Sequence, residues 1–498
     1  MAASSGTTLD AEILYMIAKA LIRDLIPSQR DISLRSDALT TLRALRLTSR
    51  EFASMVVIKK ALFSSLDLHA REEEMDRVQR MNFSGIGPSV AKVTFFSSPF
   101  SAELKEHDYK KLLLAMSIHK ESNKSEEQED DATSKSSSLS SDPLRCHEDY
   151  HRHLTGMDDD WDGEVQNSRF DARILYEWYM LNARKDKDIV LSGRLQEIWC
   201  AALKECPNIV ECKFASVVGR AGADAESPDS LHMPGCGAEC IQEQVLRRIT
   251  ASSSLMVFHT IVKSIMASGI RIQNLSLERG FLTDRVSLGI RGRADWDRLD
   301  LSKLEKFTYV WTPNDKEVSR FYEETDAFYQ GRGLASHDCE AVLAKAHGSV
   351  RNLILDHGNG QWLCGLKWPH LANLEFPSLQ SITLKKVLLE SSPFARDISR
   401  CPVLRRIVFN DCDLCEFDPT WKPILDAIRG HQNALLVVFR NITTAAWCGR
   451  LNMKCNTDFN VKWKPGERSE DDIEGNVYLY LTKQGGWNNT LEDHFPDR

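Results

Sequence analysis

Three groups of side chains have the types and spacing that hold metal ions. Cys412 and Cys415 stand at Cys-x-x-Cys spacing, and His232, Cys236 and Cys240 recur at intervals of four. His151-Arg152-His153 lies just ahead of the carboxylates Asp158, Asp159 and Asp160. A structural zinc site needs four ligands arriving as two close pairs. Neither cysteine group has a second pair at a fitting separation, so the 13 cysteines read as reduced thiols, many at buried positions. The His and Asp stretch reads as a solvated polar loop. The chain also carries no P-loop, no Gly-x-Ser-x-Gly elbow, no His-Glu-x-x-His and no dinucleotide fingerprint. These readings predict no catalytic residue, no cofactor and no metal, and a chain that works by binding.

The 498 residues are long enough for roughly two to four domains. Hydrophobic residues at 42% and charged residues at 27% describe an ordinary soluble globular composition. A formal net charge of −8 argues against a nucleic-acid partner, which calls for a basic excess. No apolar run approaches the roughly 20 residues of a membrane span, so no membrane partner is expected. The opening MAASSGTTLDAEIL has neither the basic flank nor the apolar core of a secretory signal. The expected location is cytoplasmic or nuclear.

The elements that would position a binding surface begin at the N-terminus. Leu9, Ile13, Leu14, Ile17 and Leu21 fall along one helical stripe, with Asp10 placed as an N-cap. After Ile26-Pro27 and a polar stretch, Leu42, Leu45, Phe52 and Val56 again recur at helical intervals. Leu66 and Leu68 then alternate with Asp67 and His69 in the manner of a short strand. A helical segment this small has more apolar surface than it can bury alone, which suits a module completed by a partner.

These residues resemble an F-box of the filamentous-fungal type. The likeness rests on the Leu-x-x-Glu-Ile-Leu opening (Leu9, Glu12, Ile13, Leu14), on Ile17 and Leu21, and on the segment Leu45-Arg46-Leu47 with Arg50 and Phe52. Leu62-Phe63 then leads directly into a strand. The family usually opens Leu-Pro, and Asp10 stands in the place of that proline. The match spans about 55 residues, a small fraction of the chain. The resemblance implies that Leu9, Ile13, Leu14 and Ile17 lie against a Skp-type adaptor, with Leu42, Leu45 and Leu47 helping to form the interface. It further implies a cullin-type SCF ubiquitin ligase in which this chain receives an unidentified protein target. Two alternatives stay open: a non-catalytic F-box-like scaffold, and a protein-interaction module unrelated to ubiquitin in which residues 9–69 merely cap the body.

Beyond the box one pattern recurs, an apolar residue followed three and five positions later by two more. It occurs at Val90/Val93/Phe95, Ile209/Cys212/Phe214, Ile272/Leu275/Leu277 and Leu304/Phe307/Tyr309. It returns at Val350/Leu353/Leu355, Leu379/Ile382/Leu384 and Leu404/Ile407/Phe409. The closing alternation is a strand signal. Helical patterns precede several copies: Leu195, Ile198, Trp199, Ala202 and Leu203 before Pro207; Leu255, Phe258, Val262 and Ile265 before Gly269; Ser336 to Gly348; and one opened by Ser392-Pro393. Repeated helix-strand units predict a solenoid, here with uneven spacing. The tryptophans spread through this region read mostly as core.

The expected fold class is therefore mixed α/β: a short all-α F-box module, then an irregular leucine-rich-repeat-like solenoid of helix-strand units, then a C-terminal β cap. The expected boundaries are 1–69 for the module, 70–118 for a first repeat-like unit and 119–160 for an acidic, serine-rich disordered insertion. The solenoid is expected over 161–442, and 443–498 over a hairpin cap in which DFNVKWKP pairs with NVYLYLTKQ.

Overall fold

The computed structural model describes residues 16–20, 40–47, 53–96, 172–215, 257–278, 294–310, 336–357, 366–369, 374–414, 420–443, 450–456 and 473–495. Within them the fold is mixed α/β. Its sheet strands are β1 (Ser65–His69), β2 (Lys92–Phe96), β3 (Glu211–Ala215), β4 (Asn274–Glu278), β5 (Lys306–Val310) and β6 (Asn352–Asp356). They continue with β8 (Ser381–Lys385), β10 (Arg406–Asn410), β12 (Leu436–Thr443) and β13 (Arg450–Asn456). These ten stand side by side in chain order. Every pairing is parallel except the last, β12 with β13. The order never reverses and the sheet does not close into a barrel.

The strands lie in register without stagger: Ser65 pairs Lys92, Lys92 pairs Glu211, and so on to Arg406 with Leu436. One backbone device enforces this. The carbonyl just ahead of a strand accepts the N–H groups of two consecutive residues in the next unit. Ser64 O takes Ala91 and Lys92, Ala91 O takes Val210 and Glu211, and Val210 O takes Gln273 and Asn274. Gln273, Glu305, Arg351 and Gln380 repeat the arrangement, at 2.7–3.1 Å.

In-register strands put like positions in columns. The second and fourth residues of each strand form two buried columns, from Leu66 and Leu68 to Val437 and Phe439. The apolar residue three positions before the first column is buried as well, from Val90 to Leu404. Between the two columns stand Asp67, Lys213, Ser276, Thr308 and Thr383, half-buried on the opposite face. Such alternation on parallel strands marks a sheet covered by helices on one face, whereas doubly wound sheets are apolar on both.

The covering helices are amphipathic. We number them α1 (Val56–Phe63), α2 (Glu72–Arg80), α3 (Ala172–Leu191), α4 (Arg194–Lys204), α5 (257–268), α6 (Ser336–Ala346), α7 (Ser391–Ser399) and α8 (Lys422–Gly430). Two more, α9 (Ile473–Leu481) and α10 (Asn489–His494), follow the sheet. Helix α4 buries Leu195, Ile198, Trp199, Ala202 and Leu203, the stripe read from the sequence. Gly269 ends α5 at φ +74°, as a helix-terminating glycine should. Aromatic rings join helix to strand: Phe95 meets Trp199 at 5.3 Å, Phe214 meets Phe258 at 5.7 Å, and Phe409 meets Trp421 at 5.6 Å and Phe439 at 5.2 Å. Lys345 on α6 donates to the carbonyls of Trp296 and Asp297 at 2.6 and 2.9 Å, closing the end of a short helix. Desolvation there pulls its ammonium below the ordinary lysine range.

All seven recurring motifs form strands of the sheet. Three shorter strands, absent from the sequence reading, make a second parallel sheet: β7 (Leu366–Lys367), β9 (Val387–Leu389) and β11 (Asp413–Leu414), in the order β11-β9-β7. Lys386 and Asp411 turn the chain from the large sheet into β9 and β11 with φ of +52° and +53°, and Asn441 bulges β12 at +55°. Asp and Asn tolerate this left-handed region better than most residues, and Lys386 does so less readily.

The C-terminal reading needs correction. NVYLYL is helical, within α9, and is not a strand; DFNVKWKP lies outside the described residues. Val477 to Leu481 is apolar or aromatic at every position, so alternation and a helical face fit equally. Burial decides it: Val477, Tyr478, Tyr480 and Leu481 are enclosed where α9 packs on β13, α8 and α10. A hairpin does close the sheet, but it is built from β12 and β13. The insertion at 119–160 also lies outside the described residues.

Gly87, in the turn before β2, has no room for a side chain, because a Cβ would overlap the carbonyl of Glu205 at the end of α4. Gly87→Ala is expected to cost about 1–3 kcal/mol by overpacking, read by denaturant unfolding. Gly85→Ala, two residues away in open space, is expected to stay within about 0.5 kcal/mol. Near the closing end, burial and then a hydrogen bond to Asp426 push the Tyr480 hydroxyl up to about 12. The fold thus favours the neutral phenol. This contribution is whole below the unfolded value near 10 and fades as pH rises toward 12. Melting temperature should fall across that window, and Tyr480→Phe should lessen the fall relative to the parent protein.

Candidate interaction surfaces

The N-terminal helices keep a core of their own. Ala18, Leu42 and Ile58 are fully buried together, with Leu45, Met55, Val57, Ala61 and Leu62 packed around them. This cluster is separate from the large core under the sheet. Arg46 lays its guanidinium over the ring of Phe63 at 4.6 Å, tying the 40–47 helix to the last residue of α1. Helix α1 in turn touches the turn Gly87–Ser89 and runs straight into β1. The module is thus fixed at the first edge of the sheet.

The residues assigned to an adaptor divide three ways. Leu9, Ile13 and Leu14 lie outside the described residues. Leu42 is wholly buried and Leu45 half-buried, so both serve the module's own core. Ile17 is 39% exposed and Leu47 84% exposed. Leu47 sits about 140° around the helix from Leu42, which is why one faces inward and the other out. Met16 and Val56, which the sequence reading did not assign, are also exposed, at 59% and 64%. Four large apolar side chains on so small a module leave surface that water covers poorly.

The second surface is the face of the sheet that no described helix covers. Toward its first edge, charges are paired across neighbouring strands: Lys92 with Glu211 at 2.8 Å and Lys213 with Glu278 at 2.6 Å. His69 stacks on Phe96 with ring centroids 4.4 Å apart. Further along, Lys385 pairs with Asp356 at 2.8 Å. Partly exposed pairs of this kind fix side-chain positions more than they stabilise.

The metal-like groups meet a different environment. Cys412 is fully buried, and its thiol lies against the carbonyls of Leu384 and Asn410 at 3.5 and 3.6 Å. Burial pushes it up to about 12, so without a metal it rests as a neutral thiol. Cys401 is likewise pushed up to about 12 and Cys206 to about 11, burial being the main cause in each. Cys415, His232, Cys236, Cys240 and the 151–160 stretch lie outside the described residues. Among the described residues no three His, Cys, Asp or Glu side chains converge, and no helix is long and apolar enough to cross a membrane.

No protein-family model and no curated protein matches this chain.

The two roles of the 40–47 helix separate cleanly by substitution. Leu42→Asp should abolish the small core, removing the earliest, low-temperature part of thermal unfolding followed by circular dichroism. Leu47→Asp should leave the melt within about 0.5 kcal/mol of the parent. Equal losses would refute the assignment of inward and outward faces.

Proposed function

We propose that this chain is the substrate-recognition subunit of a cullin-type SCF ubiquitin ligase. Its F-box-like helices would hold a Skp-type adaptor, and its leucine-rich-repeat-like array would hold a protein target. The observation that carries this reading is the N-terminal module. It satisfies its own small core around Ala18, Leu42 and Ile58 and still exposes Met16, Ile17, Leu47 and Val56, immediately ahead of β1. Exposed apolar anchors on short helices are what helix-in-groove docking uses. The in-order parallel strands with helices on one face support a degenerate solenoid of leucine-rich-repeat type. In this role the chain supplies no chemistry. It brings a target to enzymes held on the same assembly, acting through proximity, in the cytoplasm or nucleus.

A second reading has its own observation. The contacts of α1 with the Gly87–Ser89 turn, and its direct run into β1, are those of an end cap on the array. Pull-down of purified Skp-type adaptor by the full chain separates the two. Capture is expected, with at least tenfold weaker binding for Ile17→Asp combined with Leu47→Asp. Leu181→Asp, at a comparably exposed position on α3, should have no effect. An absence of capture by the parent chain would leave the module as a cap.

A further inference from the structure

The face of the sheet that no described helix covers changes character along its length. From β1 to β4 its cations are matched by carboxylates across the strands. From β5 to β12 the outward positions carry Lys306, Lys385, Arg406 and Arg440, all exposed, against a single carboxylate, Asp356. Asp356 is already taken by Lys385. Lys306, Arg406 and Arg440 form no ion pair among the described residues. The nearby Asp411 carboxylate is occupied by the amides of Asn410 and Asn441. An excess of cation on one face of a chain whose net charge is −8 is a local feature with a direction.

The cations flank a central column. Lys306 and Arg406 stand in one row and Lys385 and Arg440 in another; between them Thr308, Ile354 and Thr383 are half-buried, and Val408 and Val438 are buried. Five strands about 4.8 Å apart make a track of roughly 19 Å, the length of about six extended residues. Of its apolar residues only Ile354 keeps accessible surface, so the face is distinguished by its charge. No aromatic residue faces outward on these strands. A single-stranded nucleic acid would want such stacking platforms, and a duplex more phosphate contacts than three free cations supply.

We infer that the outward face of β5, β6, β8, β10 and β12 docks an acidic, extended segment of a protein partner laid across the strands. This names the chemistry of the target in the function proposed above and rests on that reading for the target's fate. The carboxylates of the segment meet Lys306, Arg406 and Arg440, and an apolar residue covers Ile354. Complementary charge of this kind sets partner choice and association rate, and it weakens as salt rises.

The test uses the full chain and fluorescein-labelled twelve-residue peptides of alternating Glu and Leu, their Gln-Leu counterparts, and a labelled oligoribonucleotide of equal length. Fluorescence anisotropy should show the Glu peptide binding at least tenfold more tightly than the Gln peptide, with the difference shrinking at high salt. Arg406→Glu with Arg440→Glu should weaken it at least tenfold, and the milder Arg406→Ala with Arg440→Ala severalfold. Lys213→Ala, on the paired half, should leave it unchanged. Equal binding of the two peptides, indifference to both double variants, or tighter binding of the oligoribonucleotide would each overturn the inference. Adaptor pull-down on the same preparations keeps the two proposals apart. Glu-selective binding without adaptor capture sinks the ligase reading alone, and capture without Glu selectivity sinks the docking surface alone.

Discussion

The structure depends on one shared acceptor. A carbonyl that takes two N–H groups from the following unit leaves that unit no freedom to slide, since a shift of one residue would unmake both bonds. Register then dictates everything laid upon it. The two buried columns, the aromatic contacts from Phe95 to Phe439 and the outward rows of polar side chains all follow from strands stacked without stagger. A one-residue slip would also carry each strand's apolar set to the wrong face. Backbone and side-chain constraints therefore select the same pairing, which is what lets irregular insertions sit between regular strands.

That agreement explains how much could be read from the residues alone. The spacing of three and then two apolar positions is the imprint of the buried turn residue and the two columns, so all seven copies announced strands. Strand β12 escaped because Ala434 occupies the turn position and Leu435 to Phe439 is apolar without interruption, so nothing alternates. The second sheet escaped for a different reason: strands of two or three residues are too short to show any period. Helix α2 is mostly charged, and its burial rests on Met75 and Val78. In α9, an unbroken apolar run left the choice to tertiary packing, which favoured the helix.

Surfaces were less legible than the core. Periodicity placed Leu42 and Leu45 on one helix and the family resemblance added Leu47, yet neither could say which of them the module needs for itself. That depends on Ala18 and Ile58, which come from elsewhere in the chain. The charge asymmetry of the open face was equally hidden. Lys306, Arg406 and Arg440 are far apart in sequence, and only the register brings them to one side of the molecule. An overall acidic composition pointed away from a basic patch and was silent about where the few unpaired cations would gather.

The uneven spacing of the units bears on how the chain assembles. Phe96 and the start of β3 are separated by roughly 115 residues, whereas β8 and β10 are separated by roughly 20, and closing the longer gap costs about 1.5 kcal/mol more in chain entropy. Pairing between β8, β10 and β12 closes gaps as short as that between β1 and β2, and it brings Phe394, Phe409, Trp421 and Phe439 together at once. Joining the β1–β2 pair to β3 then needs the longest closure between neighbouring strands of the sheet. The meeting of β3 with β2 is therefore the slow and vulnerable step of assembly, with the edges of two part-built sheets exposed until it is made.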